Sequence, residues 1–335
     1  MPTMNLKGWM ERDGVRLIPT DVERMLGEGP EAIARCGGEF LLAHDDWIAR
    51  DALGIMPGPV PPGTICCNGR EVGRIAPDPP SCTLEEAIVT AVNLRSDEGA
   101  VAFSGGVDSA LIAGLAHLPC VTVGLRGSHD TAWAAKSARM MRLDLDIVTP
   151  KEDEIAEALA RVVRTIPDPT NPLEASIATT LYFVARWAGE YGCTRILAGQ
   201  GADELFGGYA RYLASPDLAA ELERDFADLG RQRMRDQAVA ALFGTYFSMP
   251  YLDLRVARAA RAIPAEEKVR GGVRKHPLRM VAERHIPAEM ARAEKKAMQY
   301  GSGIWRAIQQ LARRNGYKKS VQGYLKEISR AEHDN

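Results

Sequence analysis

The stretch Phe103-Ser104-Gly105-Gly106-Val107-Asp108-Ser109-Ala110 lies between a run typical of a buried strand and a run typical of a helix. Two adjacent glycines at such a junction let the backbone approach a ligand closely, because neither carries a Cβ. The amides and the positive dipole end of the following helix favour an anion there. Ser104 and Ser109 add hydroxyl donors, and the carboxylate of Asp108 suits Mg²⁺. A tight turn capped by serine is the alternative interpretation.

Segments typical of strands and helices alternate on both sides of this stretch. Buried strands are predicted at 100–103, 120–125, 145–148 and 195–198, with amphipathic helical patterns between them. This alternation predicts an α/β fold, a parallel sheet with helices on both faces. Ligands bind such sheets beyond the carboxyl ends of the strands, so the loops after Phe103, Leu125 and Ala198 are expected to converge.

The ends of the chain have a different character from this central part. Residues 1–80 are rich in Gly and Pro and predict a small β-rich segment, in which 39–43 pairs with 47–50 across a polar turn. The prolines of 57–63 and 77–80 oppose regular structure, so a domain boundary is predicted near residue 80. Beyond Asp217 the pattern is mostly helical and strongly charged.

The amino-acid composition is typical of a globular protein. Of the 335 residues, 46% are hydrophobic and 26% are charged, and the formal net charge is -2. We therefore expect no nucleic-acid partner and no membrane association, and the absence of an apolar signal core near the N-terminus predicts a cytoplasmic protein. The six cysteines and six histidines show no zinc-ligand spacing, and Cys36 is expected to be an ordinary buried thiol.

A second loop, Gly199-Gln200-Gly201-Ala202-Asp203-Glu204 and onward to Tyr209, also leaves a predicted strand and enters a helix. Asp108 and Asp203 are predicted to face the same crevice, where two carboxylates suit a Mg²⁺ ion that bridges the phosphates of ATP. The alternative for Asp203 alone is a helix start at which the dipole favours an acid.

The motifs in this order resemble the synthetase domain of the asparagine synthetase family, which also includes the β-lactam synthetases. The resemblance covers about 83–305. The loop 104–109 is similar to the pyrophosphate loop of the N-type ATP pyrophosphatases, and Val123-Gly124-Leu125 resembles the strand end that holds adenine. Further segments resemble the Arg-Asp motif, the Val-Pro-Phe-Leu-Asp motif and the region of the catalytic lysine: Arg235-Asp236-Gln237, Met249-Pro250-Tyr251-Leu252-Asp253 and Lys295-Lys296.

The resemblance implies ATP and Mg²⁺ as cofactors of an ATP pyrophosphatase-type domain over 81–335. It implies that a carboxylate attacks the α-phosphorus of ATP, which releases pyrophosphate, and that an amine then displaces AMP. The residues it assigns to ATP are Ser104, Gly105, Gly106, Asp108, Ser109, Val123, Leu125, Gly199 and Gly201. Asp108 and Asp203 are assigned to Mg²⁺, and Lys295 to catalysis, with Lys296 in reserve and Lys275 as a weaker candidate.

Two positions depart from the family pattern. Gln200 stands where the family commonly has Glu, and a neutral amide cannot serve as a base. Pro2-Thr3 stands where glutamine-dependent members have a catalytic Cys after the initiator Met. Residues 1–80 still resemble parts of the glutaminase domain, in Gly38-Glu39-Phe40 and in 49–55. We therefore expect a truncated glutaminase-like remnant that is inactive.

The leading functional hypothesis is ammonia-dependent synthesis of asparagine from aspartate, with a separate glutaminase and a homodimer left open. One alternative is amidation or ring closure of another carboxylate, as in the β-lactam synthetases. The other is a non-catalytic ATP-binding regulatory protein, in which the chemistry was lost with the change at Gln200.

Overall fold

The structure, a computed structural model, describes residues 4–294 and 301–330. The chain forms two compact units. The first unit combines 4–97 with Gln200–Phe226 and Ser248–Arg274, and the second combines Glu98–Gly199 with Ala227–Phe247 and the described residues from Lys275 onward. The domain boundary near residue 80 stays a prediction.

The secondary structure alternates between the two types over much of the described chain. The strands are β1 (Asn5–Arg12), β2 (Val15–Arg16), β3 (Gly37–His44), β4 (Trp47–Arg50), β5 (Thr64–Cys67), β6 (Arg70–Arg74), β7 (Ala100–Ala102), β8 (Cys120–Val123), β9 (Leu145–Val148), β10 (Arg195–Leu197) and β11 (Tyr246–Ser248). The helices are α1 (Pro19–Glu28), α2 (Pro30–Ala34), α3 (Leu84–Asn93), α4 (Val107–Ala116), α5 (His129–Met141), α6 (Glu152–Val162), α7 (Pro172–Tyr191), α8 (Ala202–Phe206), α9 (Leu218–Ala241), α10 (Leu254–Arg261), α11 (Ala265–Lys268), α12 (His276–His285), α13 (Ala288–Arg292), α14 (Ile304–Arg314) and α15 (Val321–Arg330). Short 3₁₀ turns span Ala210–Ala214 and Pro250–Leu252. Within the described ranges, no helix combines the length and apolarity that crossing a membrane requires.

The first unit is built on a six-stranded antiparallel sheet with the strand order β2-β1-β3-β4-β5-β6. Leu42 pairs with Ala49 across the β3–β4 hairpin, so the predicted hairpin is confirmed. Asp45 at its turn has a positive φ of 49°, a conformation that Asp tolerates better than most residues. The proline-rich segment 57–63 contains no helix or strand, as expected.

A hydrophobic core lies between this sheet and the helices α1 and α2. Alternate residues of the strands point into it because successive side chains of a strand face opposite sides. The buried members are Met10, Val22, Met25, Ile33, Cys36, Phe40, Leu42, Ala49, Ile65 and Ile75.

The helix α3 begins at Leu84, with Thr83 as its N-cap. The Thr83 hydroxyl accepts the Glu86 amide, and the Glu86 carboxylate accepts the Thr83 amide at 2.9 Å, which forms a capping box. Its apolar face packs against α10 within the first unit.

The second unit contains a five-stranded sheet with the order β11-β10-β7-β8-β9. The pairs β10–β7, β7–β8 and β8–β9 are parallel, and helices flank the sheet. The helix α7 crosses β8, β9 and β10 and buries residues around most of its circumference, whereas α4 packs on β7 and is covered by α12 and α13. The predicted α/β class, parallel sheet and helical C-terminal part are therefore confirmed.

Candidate functional site

The glycine loop joins β7 to α4 in the second unit. Gly105 has a φ of +73°, which favours glycine, and the helix begins at Val107. The Ser104 amide donates to the Ser109 hydroxyl at 3.1 Å, and the Ser109 hydroxyl donates to the Gly106 carbonyl at 3.1 Å. Ser109 is buried, so its hydroxyl shapes the loop. The two hydroxyls of Ser104 and Ser109 are also 3.1 Å apart.

Lys275 lies against Asp108 in the same unit. Its Nζ is 2.6 Å from Asp108 Oδ2, and the Lys275 side chain is only 9% exposed. Lys275 is in the left-handed conformation at φ 56°, as the residue that precedes α12. Lys275, the weakest of the three lysine candidates, is thus the one that the structure places at the glycine loop. Lys295 and Lys296 lie outside the described residues.

Gly199, which follows β10, lies beside the same loop. A Cβ added to Gly199 would be 3.0 Å from the Cβ of Asp108, closer than ordinary van der Waals contact. The two chain segments approach because β10 and β7 are adjacent parallel strands. Only glycine fits at position 199 without displacing Asp108.

The predicted adenine segment follows β8. Val123 is buried, and the Leu125 amide donates to the Ser302 carbonyl at 2.8 Å. The Leu125 carbonyl accepts the Ser128 amide at 2.9 Å. Both backbone groups of Leu125 are therefore hydrogen-bonded within the second unit, and a role in binding adenine stays a prediction.

The remaining predicted site residues, Gln200, Gly201 and Asp203, belong to the first unit. Gln200 and Asp203 are half-buried, and Asp203 lies in the first turn of the short helix α8. Gly201 has a φ of +87°, and a Cβ there would be 2.4 Å from Leu252 Cδ2. The loop that carries Gln200 is consequently shaped by Leu252.

The end of this loop is held by two further polar contacts. The Tyr209 hydroxyl donates to Glu204 Oε1 at 2.5 Å, and Glu204 is buried. Arg274 donates to the Gly208 carbonyl at 2.8 Å. These contacts fix the turn after α8 in the first unit.

A magnesium ion is compatible with the donor set of Asp108. Mg²⁺ is usually held by one or two protein carboxylates together with substrate phosphates and water, rather than by an all-protein cage. Among the residues that the structure describes, no cluster of three or more His, Cys, Asp or Glu side chains is arranged for a metal. The Mg²⁺ site formed by Asp108 and Asp203 stays a prediction.

The first unit also contains a charged cluster that sequence reasoning missed. Glu39 is fully buried and accepts the Trp9 indole N–H, Arg95 Nε at 2.9 Å, the Ser248 hydroxyl at 2.5 Å and the Met249 amide at 2.9 Å. Nothing in the strand pattern of 39–43 distinguishes Glu39 from a solvent-facing acid, because its partners are distant in sequence.

A cavity of about 30 Å³ adjoins this cluster within the first unit. Six of its fifteen lining residues are charged: Glu11, Glu39, Asp51, Arg95, Asp253 and Arg255. Asp51 is buried and accepts the amides of Ile55 at 2.8 Å and Met56 at 2.9 Å. Burial raises the pKa of Asp51 to about 6.

The cysteines carry no sign of catalysis. All six are free, and Cys36 is buried, as expected. Burial raises the pKa of the Cys36 thiol to about 11, so it is protonated at neutral pH and a poor nucleophile.

Comparison with known proteins shows which family this chain is similar to. A family model described as Asparagine synthase matches residues 83–238 and 217–327. A putative glutamine-hydrolyzing asparagine synthetase of Methanocaldococcus jannaschii is 32% identical, and the match covers 70% of this chain and 51% of that protein. Asparagine synthetase B of Escherichia coli is 26% identical, over 61% of this chain and 41% of that protein.

A third relative is the carboxyethyl-arginine β-lactam synthase of Streptomyces clavuligerus, which is 27% identical over 68% of this chain and 45% of that protein. The chain thus spans about half the length of the curated relatives it matches. The family model covers most of this chain, including the glycine loop, Lys275 and the Gln200 loop. The chain belongs to the asparagine synthetase family.

Proposed function

We propose that this protein is an ATP- and Mg²⁺-dependent ligase that activates a carboxylate as an acyl-adenylate, releases pyrophosphate and transfers the acyl group to an amine. The observation that carries this proposal is the ion pair between the buried Lys275 and the half-buried Asp108 at the glycine loop, 2.6 Å apart, in a chain of the asparagine synthetase family. The pair places a cation and a carboxylate at a loop suited to phosphate.

Each residue of the pair has a distinct role in the proposal. Lys275 stabilises the negative charge that builds on the departing phosphates, and low exposure strengthens that interaction because little water screens it. Asp108 holds the Lys275 ammonium in place and offers its carboxylate to Mg²⁺, which when bound neutralises phosphate charge. Gly199 keeps the space beside Asp108 clear of a side chain.

Asparagine synthesis from aspartate and ammonia is the preferred form of this reaction. It is supported by the M. jannaschii and E. coli relatives, which are named asparagine synthetases. Gln200 cannot take a proton from the attacking nitrogen, so the proposal uses ammonia as the free base from solution. Lys295 as a second catalytic lysine, a cytoplasmic location, a separate glutaminase and a homodimer stay predictions.

A second candidate is activation of a different carboxylate, as in the β-lactam synthetases. The S. clavuligerus relative supports it, because that match covers 68% of this chain.

The proposal is tested by incubating the protein with ATP, Mg²⁺, aspartate and ammonium while pyrophosphate, AMP and asparagine are measured. We expect all three products in equal amounts. Pyrophosphate and AMP without asparagine would retain the ligase and overturn aspartate amidation. A panel of other acids would then identify the carboxylate. ATP binding without pyrophosphate release for any acid, unchanged by Gln200→Glu, would overturn the enzymatic proposal in favour of a regulatory protein.

A further inference from the structure

Trp133 of α5 lies directly over the glycine loop. Its indole Nε1 donates to the Gly105 carbonyl at 2.8 Å. The ring also covers Gly105, since a Cβ at that residue would be 2.8 Å from Trp133 Cδ1. Both residues belong to the second unit, and the contact joins positions that are 28 residues apart. The indole therefore fixes the direction of one particular carbonyl of the loop.

This bond also fixes the amide that follows. In a trans peptide the N–H of one residue points away from the C=O of the residue before it. Because the Gly105 carbonyl points toward α5, the Gly106 N–H points to the opposite side, where its acceptor is the Ser104 hydroxyl at 3.4 Å. That distance exceeds the usual 2.7–3.2 Å range, so the Gly106 N–H retains most of its capacity for a stronger acceptor.

A cation from the same helix lies near the Trp133 ring. Lys136 Nζ lies 5.3 Å from the centre of the Trp133 ring and forms an ion pair with Glu289 at 2.7 Å, which links α5 to α13. Ser137, one turn along α5, is fully buried with its Oγ near Gly105. Within the described part of the chain, that hydroxyl has no hydrogen-bond partner.

We propose that Trp133 is a positioning residue for phosphate: its indole N–H orients the Gly105–Gly106 peptide so that the Gly106 amide faces the pyrophosphate moiety of ATP. Glycine at 105 and 106 leaves this peptide free to rotate, because no Cβ restricts either φ. The indole N–H supplies the restriction that the glycines lack. This inference rests on the proposed function of the loop and extends it to a residue outside the motif.

The test removes the indole N–H and keeps an aromatic ring at position 133. Trp133→Phe is expected to weaken binding of inorganic pyrophosphate and of Mg·ATP about tenfold, the effect of losing one hydrogen bond worth about 1.4 kcal/mol. Binding of adenosine, which carries no phosphate, is expected to stay within about twofold. Isothermal titration calorimetry measures the affinities for pyrophosphate, Mg·ATP and adenosine. A purely structural defect would weaken all three ligands alike.

Trp187→Phe is the matched control, because its Nε1 donates to Asp146 in the same unit at 2.9 Å and the site does not include it. Trp187→Phe is expected to bind pyrophosphate, Mg·ATP and adenosine with the affinities of the wild type. Benzothienylalanine at position 133, which keeps the ring shape and lacks the N–H, is expected to reproduce the Phe result and serves if the Phe variant fails to fold. If Trp133→Phe and the benzothienylalanine variant both bind pyrophosphate with wild-type affinity, the role of Trp133 is overturned and the proposed function is not. A wild-type protein that binds neither pyrophosphate nor ATP would overturn the proposed function as well.

Discussion

The ionic contact at the glycine loop joins two residues that are distant in sequence. Lys275 became the central lysine of the glycine loop because the fold brings position 275 next to position 108, and neither its spacing nor its neighbours in sequence signal that approach. The left-handed backbone of Lys275 is also a tertiary property, since nothing in an isolated Arg-Lys-His sequence favours a positive φ.

Replacing Lys275 by Ala is expected to lower the rate of pyrophosphate release at least about 100-fold, because one preorganised charge on the departing phosphates is lost. The rate is measured by a coupled pyrophosphate assay with the acid that the wild type uses. Lys326→Ala, which removes an exposed lysine of α15, is the control and should retain the wild-type rate. A Lys275→Ala rate within threefold of the wild type would remove Lys275 from the proposed site.

Asp51 gives the first unit a defined response to pH. Its folded-state pKa of about 6 lies above the ordinary value of 3.8, so the folded state binds this proton more tightly than the unfolded state. Its contribution to stability is therefore present below about pH 4 and is lost as the pH rises through 6, a change of up to about 3 kcal/mol.

The Asp51→Asn variant removes this titration. Its free energy of unfolding, relative to that of the wild type, is expected to increase by up to about 3 kcal/mol between pH 4 and pH 7. Urea unfolding at a series of pH values measures the difference, in which the other carboxyl groups cancel. A difference that is constant with pH would show that Asp51 titrates normally.

Among the elements, the buried strands of the second unit are where sequence and structure agree most closely. The strands β7, β8, β9 and β10 lie where their local patterns predicted them, and α3 begins with a capping box formed by neighbouring residues. Local patterns succeed here because a buried strand and a helix cap each depend on residues only a few positions apart. The loops after them depend on what packs against them.

Gly201 illustrates this dependence. Gly201→Ala is expected to destabilise the protein by about 2–4 kcal/mol, because Ala is strained at a φ of +87° and its Cβ would overlap Leu252. Gly27→Ala, at an exposed position of α1 with open space around it, should instead stabilise by about 0.5–1 kcal/mol. Chemical unfolding compares the pair. A Gly201→Ala variant as stable as the wild type would contradict the packing described for this loop.

At the scale of the whole molecule, distant chain segments share each unit. Within the first unit, Glu39 of the N-terminal sheet accepts hydrogen bonds from Arg95, which follows α3, and from Ser248 and Met249, more than 200 residues later in the chain. Arg255 likewise donates to Glu11 of β1 at 2.7 Å. The N-terminal sheet is therefore an integral part of this unit.

Glu39→Ala is expected to lower the free energy of unfolding by about 3–5 kcal/mol, because it leaves the buried Arg95 guanidinium without one of its carboxylate partners. Glu71→Ala removes an exposed partner of Arg74 on β6 and should cost less than about 1 kcal/mol. Thermal and urea unfolding of both variants give the comparison. Equal, small losses would show that the Glu39 cluster contributes no more than a surface ion pair.

The amino-acid sequence alone determined the α/β class, the strands and helices around the glycine loop, and the motifs by which the family is identified. Each of these depends on hydrophobic periodicity or on residues close together in the chain. The tertiary structure alone decided that Lys275 pairs with Asp108, that Trp133 holds the Gly105 carbonyl and that Glu39 is the buried centre of a charged cluster. Those contacts join residues from 28 to 210 positions apart, and such pairs form only when the packing of the whole unit brings them together.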